Sequence, residues 1–412
     1  MQDNKKYDCL IIGGGAAGLM ASITAADYGK SVLILERNDR LGKKLLITGK
    51  GRCNVTNNCD IDRFMANIPT NPRFLYSAYS NFNSQDCINF FENLGVKLKT
   101  ERGNRVFPVS DKALEIVSAL EDAVKERNIT VKNVRATGLI IEDGTVKGVT
   151  SKEGSFNADS VLIATGGKSY PRTGSDGDGY KFAMQAGHTV IPQKASLVPI
   201  VTEEKYCADM MGLSLKNVTL TLKNQTTGKQ IYSELGEMLF THFGVSGPLV
   251  LSASSQIKSL DKNKYIFEID LKPALDEKTL DARLQRDLSE NSNKDFINSL
   301  SKLLPTKMIP VVVKLSGIPG EKKVNQISKQ ERQALMRLLK AFPLTVKEFR
   351  PIDEAIITCG GVKTSEISPK TMESKLVKGL YFAGEVIDVD GYTGGFNLQI
   401  AFCTAYTAAI NM

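Results

Sequence analysis

Gly13-Gly14-Gly15-Ala16-Ala17-Gly18 has the spacing G-x-G-x-x-G, and that pattern suits one kind of chemistry: seating a pyrophosphate on backbone N–H groups. Gly13 permits a tight turn, Gly15 lets backbone approach a phosphate, and Gly18 lets the following helix lie close to a sheet. Glu36 stands 18 residues after Gly18, where a carboxylate can accept hydrogen bonds from a ribose diol. Other reactive groups are few. Two histidines leave little for a metal centre or a His-based triad. Seven cysteines, an odd number without a CxxC pair, argue against a disulfide framework and a structural zinc site.

The glycines need elements to hold them. Tyr7–Ile12 (YDCLII) is a short apolar run suited to a buried parallel strand, and it runs straight into Gly13. Leu19, Met20, Ile23 and Ala26 continue as a helix that ends near Gly29, and Ser31–Leu35 (SVLIL) is a second strand closed by Glu36. Strand, glycines, helix, strand and acid within ~30 residues form a dinucleotide-binding unit, which by itself suits NAD(P) or FAD. Val161–Gly167 (VLIATGG) reads as a further buried strand ending in a Thr-Gly-Gly turn, and Gly379–Glu385 (GLYFAGE) as one ending in a Gly-acid pair. Both resemble the later motifs of the glutathione-reductase-type FAD fold, and that resemblance selects FAD. It implies that Glu385 faces the ribityl–pyrophosphate region. It also implies that the helix opened by Gly394-Gly395-Phe396-Asn397-Leu398 points its N-terminus at the pyrimidine edge of the isoalloxazine. There its dipole would stabilise the negative charge of reduced flavin.

Five separated motifs agree in order with one family. Ile47–Asn57 (ITGKGRCNVTN), Ala164–Tyr180 (ATGGKSYPRTGSDGDGY), Phe240–Pro248 (FTHFGVSGP), Thr358–Val362 (TCGGV) and Gly379–Phe402 resemble the BaiN-like flavoproteins, with Lys50 standing where a small residue is common. The resemblance runs from about Tyr7 onward. It implies an α/β architecture: a Rossmann-type, glutathione-reductase-like FAD domain with an inserted β-barrel and helical subdomain. The FAD domain is expected to be split between residues 1–194 and 350–412. The barrel is expected at 195–272, where Leu197–Val201, Leu213–Leu222 and Tyr265–Leu271 read as strands, and a basic helical subdomain at 273–349.

The same resemblance implies a cofactor site. It comprises Gly13, Gly15, Ala16, Ala17, Gly18, Glu36, Arg37, Lys43, Lys44, Thr48, Gly49, Gly51, Arg52, Cys53, Asn54 and Ala136 from the first half of the chain. Thr165, Gly166, Gly167, Gly384, Glu385, Gly394, Gly395, Phe396, Asn397 and Leu398 complete it. Gly49 and Gly51 would admit the ring to the backbone, and Arg52 and Lys50 could stabilise reduced flavin or an anionic substrate group. Cys53, flanked by Arg52, could be a proton donor or a redox partner; the alternative is a small cysteine packed beneath the ring. A Cys53–Cys59 pair has no geometric support. His242 could donate a proton or orient the substrate, whereas His188 reads as structural. Asp388 and Asp390 suit either a carboxylate pair over the pocket or, better, an Asp-rich turn capping the last helix.

Composition narrows the partners. No apolar run approaches the ~18–20 residues of a membrane span, and the first residues lack signal-peptide architecture, so a cytoplasmic protein is expected. The net charge is +8, and residues 302–350 hold 11 Lys/Arg against 3 Asp/Glu, while the remainder of the chain is balanced. Such a block suits a polyanion such as ribosomal RNA through counterion release; a solvated lysine-rich face is the plain alternative. Trp is absent, so base stacking would fall to Tyr and Phe. A single G-x-G-x-x-G leaves three electron routes: an oxidase using O₂, a flavin reduced transiently by NAD(P)H, or a protein donor. Members of the resembled family are associated with amine oxidation, with enone reduction in steroids and with uridine reduction in ribosomal RNA. The RNA reading is favoured here because a small apolar or cationic substrate gives no reason for the charge asymmetry. A flavin-binding redox sensor without catalysis is the fourth possibility.

Overall fold

The computed structural model describes residues 5–257, 259–260 and 264–412. The chain forms two compact units, Met1–Ser196 with Ile352–Met412 (the split unit) and Leu197–Pro351 (the inserted unit).

The split unit is built on a seven-stranded sheet. Lys6–Ile12 lies between Val32–Leu35 and Gly154–Ile163, parallel to both, and Thr130–Lys132 extends the sheet beyond Val32–Leu35. A strand covered on both faces must be apolar throughout. Leu10 and Ile11 are fully buried there, each worth about 1.5–3 kcal/mol over exposure. The hairpin Ala136–Glu142/Thr145–Ser151 pairs antiparallel with Gly154–Ile163, and Leu380–Phe382 joins the far end of that strand in parallel. The first helix (Ala16–Asp27) and the last (Phe396–Ala409) pack against each other and are apolar nearly all round, as fully buried helices must be. The chain leaves this unit through Lys194–Ser196 and returns through Ile357–Cys359, and these two strands pair antiparallel.

The inserted unit is a closed six-stranded antiparallel barrel: Ile200–Thr202, Gly244–Ser246, Gln230–Phe240, Ser214–Asn224, Tyr265–Asp270 and Phe342–Phe349. Helices Glu277–Ser289, Ile309–Ser316 and Lys329–Lys340 fill the excursion between the last two strands. Lys329–Lys340 shows why its residues are helical: Ser328 and Glu331 form a capping box, and Leu335, Met336 and Leu339 supply the buried stripe. The expected division at 272/273 is corrected by this arrangement. Phe342–Phe349 falls in the range read as helical but closes the barrel, and barrel residues such as Leu220 and Phe267 share one core with Phe296 and Leu335 from the helices. Among the described residues no helix is long and apolar enough to cross a membrane.

Candidate active site

The turn at Gly13–Gly18 connects the central strand to the first helix, whose N-cap Gly15 has no side-chain cap and whose first turn carries no acid. A Cβ on Gly18 would lie 1.8 Å from the Gly13 carbonyl oxygen, so only glycine lets the helix start this close to the strand. At Gly15 a Cβ would meet nothing within 4 Å: the space in front of the helix is open. Glu36, at the end of the second strand, is buried and braces the turn by accepting from the Gly14 N–H at 2.7 Å, while its other oxygen accepts from the Asn38 N–H at 2.7 Å. Gly384 sits beside this turn, where its Cβ would come 3.1 Å from that of Ala17. Ala136 begins its strand as a buried residue of the same unit.

Most charged residues expected at the site have protein partners. Lys44 donates to Glu385 at 2.7 Å and to Ser169 Oγ at 2.7 Å. The remaining Glu385 oxygen accepts from Ser169 Oγ at 2.9 Å and the Thr358 N–H at 2.8 Å. Burial pushes the Glu385 carboxyl upward, but Lys44 and these donors outweigh it and hold the group below its ordinary range. Arg37 is tied to Asp176 and to the Gly174 carbonyl, in a network that Asp178 and Arg135 share. Lys43 lies 3.6 Å from Asp39 and is half-buried.

The loop Thr48–Asn54 carries Gly49, Lys50, Gly51 and Cys53 at positive φ. For the two non-glycine residues this is strained backbone, a feature that concentrates at functional sites. Two of its side chains are engaged by the protein itself. Arg52 donates to both Glu101 and Asp111 at 2.5 Å and lies over the Phe107 ring at 4.0 Å, so its charge is neutralised within the protein. Cys53 is fully buried in the core, and burial pushes its thiol up to about 12. Burial and the raised thiol favour the packing alternative over the proton-donor and redox-partner reading. Cys59 is also a free thiol.

Asp388 and Asp390 do not cap the last helix, whose N-cap is Gly395 without side-chain assistance. Asp388 accepts from Asn71 Nδ2 at 3.0 Å, and Asp390, 2% exposed, accepts from Ser196 Oγ at 3.0 Å. His188 Nε2 lies 2.7 Å from Ser374 Oγ, with Glu366 3.4 Å from Nδ1, a grouping with the outline of a nucleophilic triad. Ser374 is buried, and its oxygen already accepts from the N–H groups of Leu376 and Val377, so the trio is structural. His242 lies in the inserted unit, exposed on the tip joining Gln230–Phe240 to Gly244–Ser246, with its ring 5.0 Å from that of Phe243. Sequence reasoning did not single out Ser169 or Thr358, although both lie inside motifs it quoted; nothing in their types reveals that they bracket Glu385.

Residues 7–411 match the family described as HI0933-like protein Rossmann domain. The chain belongs to that family. HI0933-like relatives include a 3-dehydro-bile acid delta(4,6)-reductase from Clostridium scindens, 33% identical over 97% of both chains, and a ribosomal RNA dihydrouridine synthase from Escherichia coli, 32% identical over 98% of both. Among solved structures, a 3-ketosteroid-delta4-(5alpha)-dehydrogenase from Rhodococcus jostii RHA1 has the same fold, with a TM-score of 0.55 at 15% identity, covering 100% of this chain and 97% of that one. The HI0933-like family and its fold neighbours make this chain an FAD-dependent oxidoreductase. The residues present fit that cofactor. Two bare helix N-termini, at Gly15 and Gly395, offer unshared N–H groups, and the Gly15 cradle is open. Thr165 Oγ1 and Asn57 Oδ1 are buried without a hydrogen-bond partner among the described residues, as groups awaiting a polar ligand would be.

Proposed function

We propose that this enzyme adds hydrogen across a carbon–carbon double bond polarised by a carbonyl, and that its substrate is a uridine of large-subunit ribosomal RNA, reduced to dihydrouridine. FAD held by these residues would supply the hydride, with NAD(P)H proposed as its transient electron donor. The first-helix turn with Thr165–Gly167 would hold the pyrophosphate, Glu36 the ribose, and Gly394–Leu398 the pyrimidine edge of the ring. Arg52 and Cys53 shape and support their loop.

The observation that carries the RNA reading is the charge left in the inserted unit. It holds 23 Lys/Arg against 17 Asp/Glu, six of the chain's eight surplus positive charges. Part of the basic block is compensated from outside it: Lys302 pairs with Glu290, Lys323 with Asp295, Arg332 with Asp281 and Lys340 with Asp270. Lys314, Lys329, Arg337 and Lys347 are exposed and without an ion pair among the described residues. The dihydrouridine synthase relative acts in its name on ribosomal RNA.

Two measurements test this. Dihydrouridine mapping in a deletion strain is expected to lose a site in large-subunit ribosomal RNA. Replacing Lys314, Lys329, Arg337 and Lys347 by Gln is expected to lower the salt slope of binding to single-stranded ribosomal RNA fragments by about 3. An unaltered dihydrouridine map, or RNA affinity indifferent to salt in the parent enzyme, removes the RNA reading. The second reading, an enone reductase of steroid type, is favoured by the bile-acid reductase relative at 33% identity; rapid NAD(P)H-dependent reduction of a bile-acid enone would select it.

A further inference from the structure

The RNA reading places its cations in the inserted unit, yet the base must be reduced where the split unit gathers its cofactor residues. A hairpin of the split unit can hold the strand there. Leu98–Glu101 and Arg105–Pro108 pair antiparallel, and Thr56–Asn57 adds a third strand along Arg105–Pro108. Gly103 and Asn104 turn the hairpin at φ 78 and φ 61. The Asn57 side chain ties this turn to the one that opens the last helix: its Nδ2 donates to the Gly103 carbonyl at 2.9 Å and to the Gly394 carbonyl at 3.0 Å. The Asn58 N–H adds a bond to the Asn104 carbonyl at 2.7 Å. The hairpin tip is therefore fixed beside Gly394 by paired strands, the kind of support that holds a binding group in place.

Positive charge collects on this hairpin. Residues 97–112 hold five Lys/Arg against Glu101 and Asp111, a surplus of three. The whole split unit holds 30 Lys/Arg against 28 Asp/Glu, so the rest of it is negative by one. Residues opposite each other on paired strands share a face, which sets Lys99 beside Phe107 and Glu101 beside Arg105. Arg52, over the Phe107 ring, and Lys99 each reach both Glu101 and Asp111. Two cations against two carboxylates leave that part neutral, and Arg102 and Arg105 carry excess charge at the tip. Arg105 is half-buried and donates through Nε to the Arg102 carbonyl at 3.0 Å, while its two terminal nitrogens have no hydrogen bond among the described residues. Arg102 is exposed.

We propose that the Arg102–Arg105 turn grips the RNA strand by the phosphodiester next to the target uridine and so sets which base comes to the Gly394 turn. The inference rests on the ribosomal-RNA reading. A planar guanidinium fork meets two phosphate oxygens at once, which a point charge on a lysine stem does not. Phosphate contacts fix the register of a strand even though they carry no sequence information. The scattered cations of the inserted unit supply attraction, and the fixed tip of the hairpin supplies position.

The test compares holoenzymes on a single-stranded rRNA fragment that contains the target uridine. Arg102→Gln with Arg105→Gln is expected to lower the salt slope of binding by about 1.4 and to raise KM about tenfold, with kcat within about twofold of the parent. Lysine at both positions is expected to keep the slope. Arg102→Gln alone, at an exposed side chain, is expected to lower the slope by about 0.7, and it serves if loss of the Arg105 bond unfolds the hairpin. A slope equal to the parent's in the folded glutamine variants overturns the proposal. The phosphates of NAD(P)H are the rival ligand: a double glutamine variant whose flavin reduction needs more NAD(P)H, while its RNA affinity is unchanged, also overturns it. Failure of the RNA reading shows in the parent enzyme itself, which then forms no dihydrouridine in the fragment and binds it indifferently to salt, and both fall together.

Discussion

The turn at Gly13–Gly18 and the loop at Thr48–Asn54 are both glycine-rich, and both are assigned to the same cofactor, yet they are made in different ways. The turn works with backbone alone. Its backbone is pinned by backbone, with the Gly13 N–H donating to the Leu35 carbonyl at 2.9 Å and the Gly14 carbonyl accepting from the Gly42 N–H at 2.8 Å, and Glu36 at the end of the next strand adds a side-chain brace. The loop carries reactive side chains whose properties are set by distant partners: Arg52 by Glu101 and Asp111, Cys53 by the core around it. A backbone device can be read from spacing, while a side chain's chemistry waits on whatever the fold brings to it.

Substitutions that strike each kind of device sharpen the contrast. Gly18→Val, which forces a side chain into the Gly13 carbonyl, is expected to abolish flavin binding; yellow, saturable protein after reconstitution would contradict the backbone account. Lys44→Met leaves the largely buried Glu385 carboxylate without its cation, and denaturant unfolding is expected to show a loss of about 3 kcal/mol. Glu385→Gln, which keeps hydrogen bonds to Ser169 and Thr358, should cost less. Cys53→Ala removes a packed thiol and is expected to cost about 1 kcal/mol while leaving turnover intact; a collapse of turnover with FAD still bound would restore a chemical role. Lys50→Gly relieves a side chain held at φ 59 and is expected to add at most about 1 kcal/mol of stability, read as a rise in Tm.

The legible part of the fold follows the same division. The dinucleotide unit, the late strand at Leu380–Phe382 and the last helix could be read because apolar runs and glycines report local geometry. The inserted strands at Ser214–Asn224 and Tyr265–Asp270 were visible for the same reason. Phe342–Phe349 escaped because it follows a capped helix in a lysine-rich stretch, and its strand identity comes from closing the barrel. At the site, Asp388 and Asp390 looked like a helix cap by proximity in sequence. Their actual partners, Asn71 and Ser196, are separated from them by hundreds of positions. The surplus of residues 302–350 was visible as a count, but its partial cancellation by Asp270, Asp281, Glu290 and Asp295 was not.

The central sheet contains a consequence for synthesis. Leu380–Phe382 must slot beside Gly154–Ile163, and the last helix must settle against the first, before Gly384 and Gly395 can reach the places proposed for them around the cofactor. A nascent chain on the ribosome therefore makes its phosphate turn early and waits through the whole inserted unit to use it. Flavin capture becomes a signal that translation has passed the final helix, and ribosome-bound chains arrested before residue 380 should be colourless however well their first 196 residues have folded.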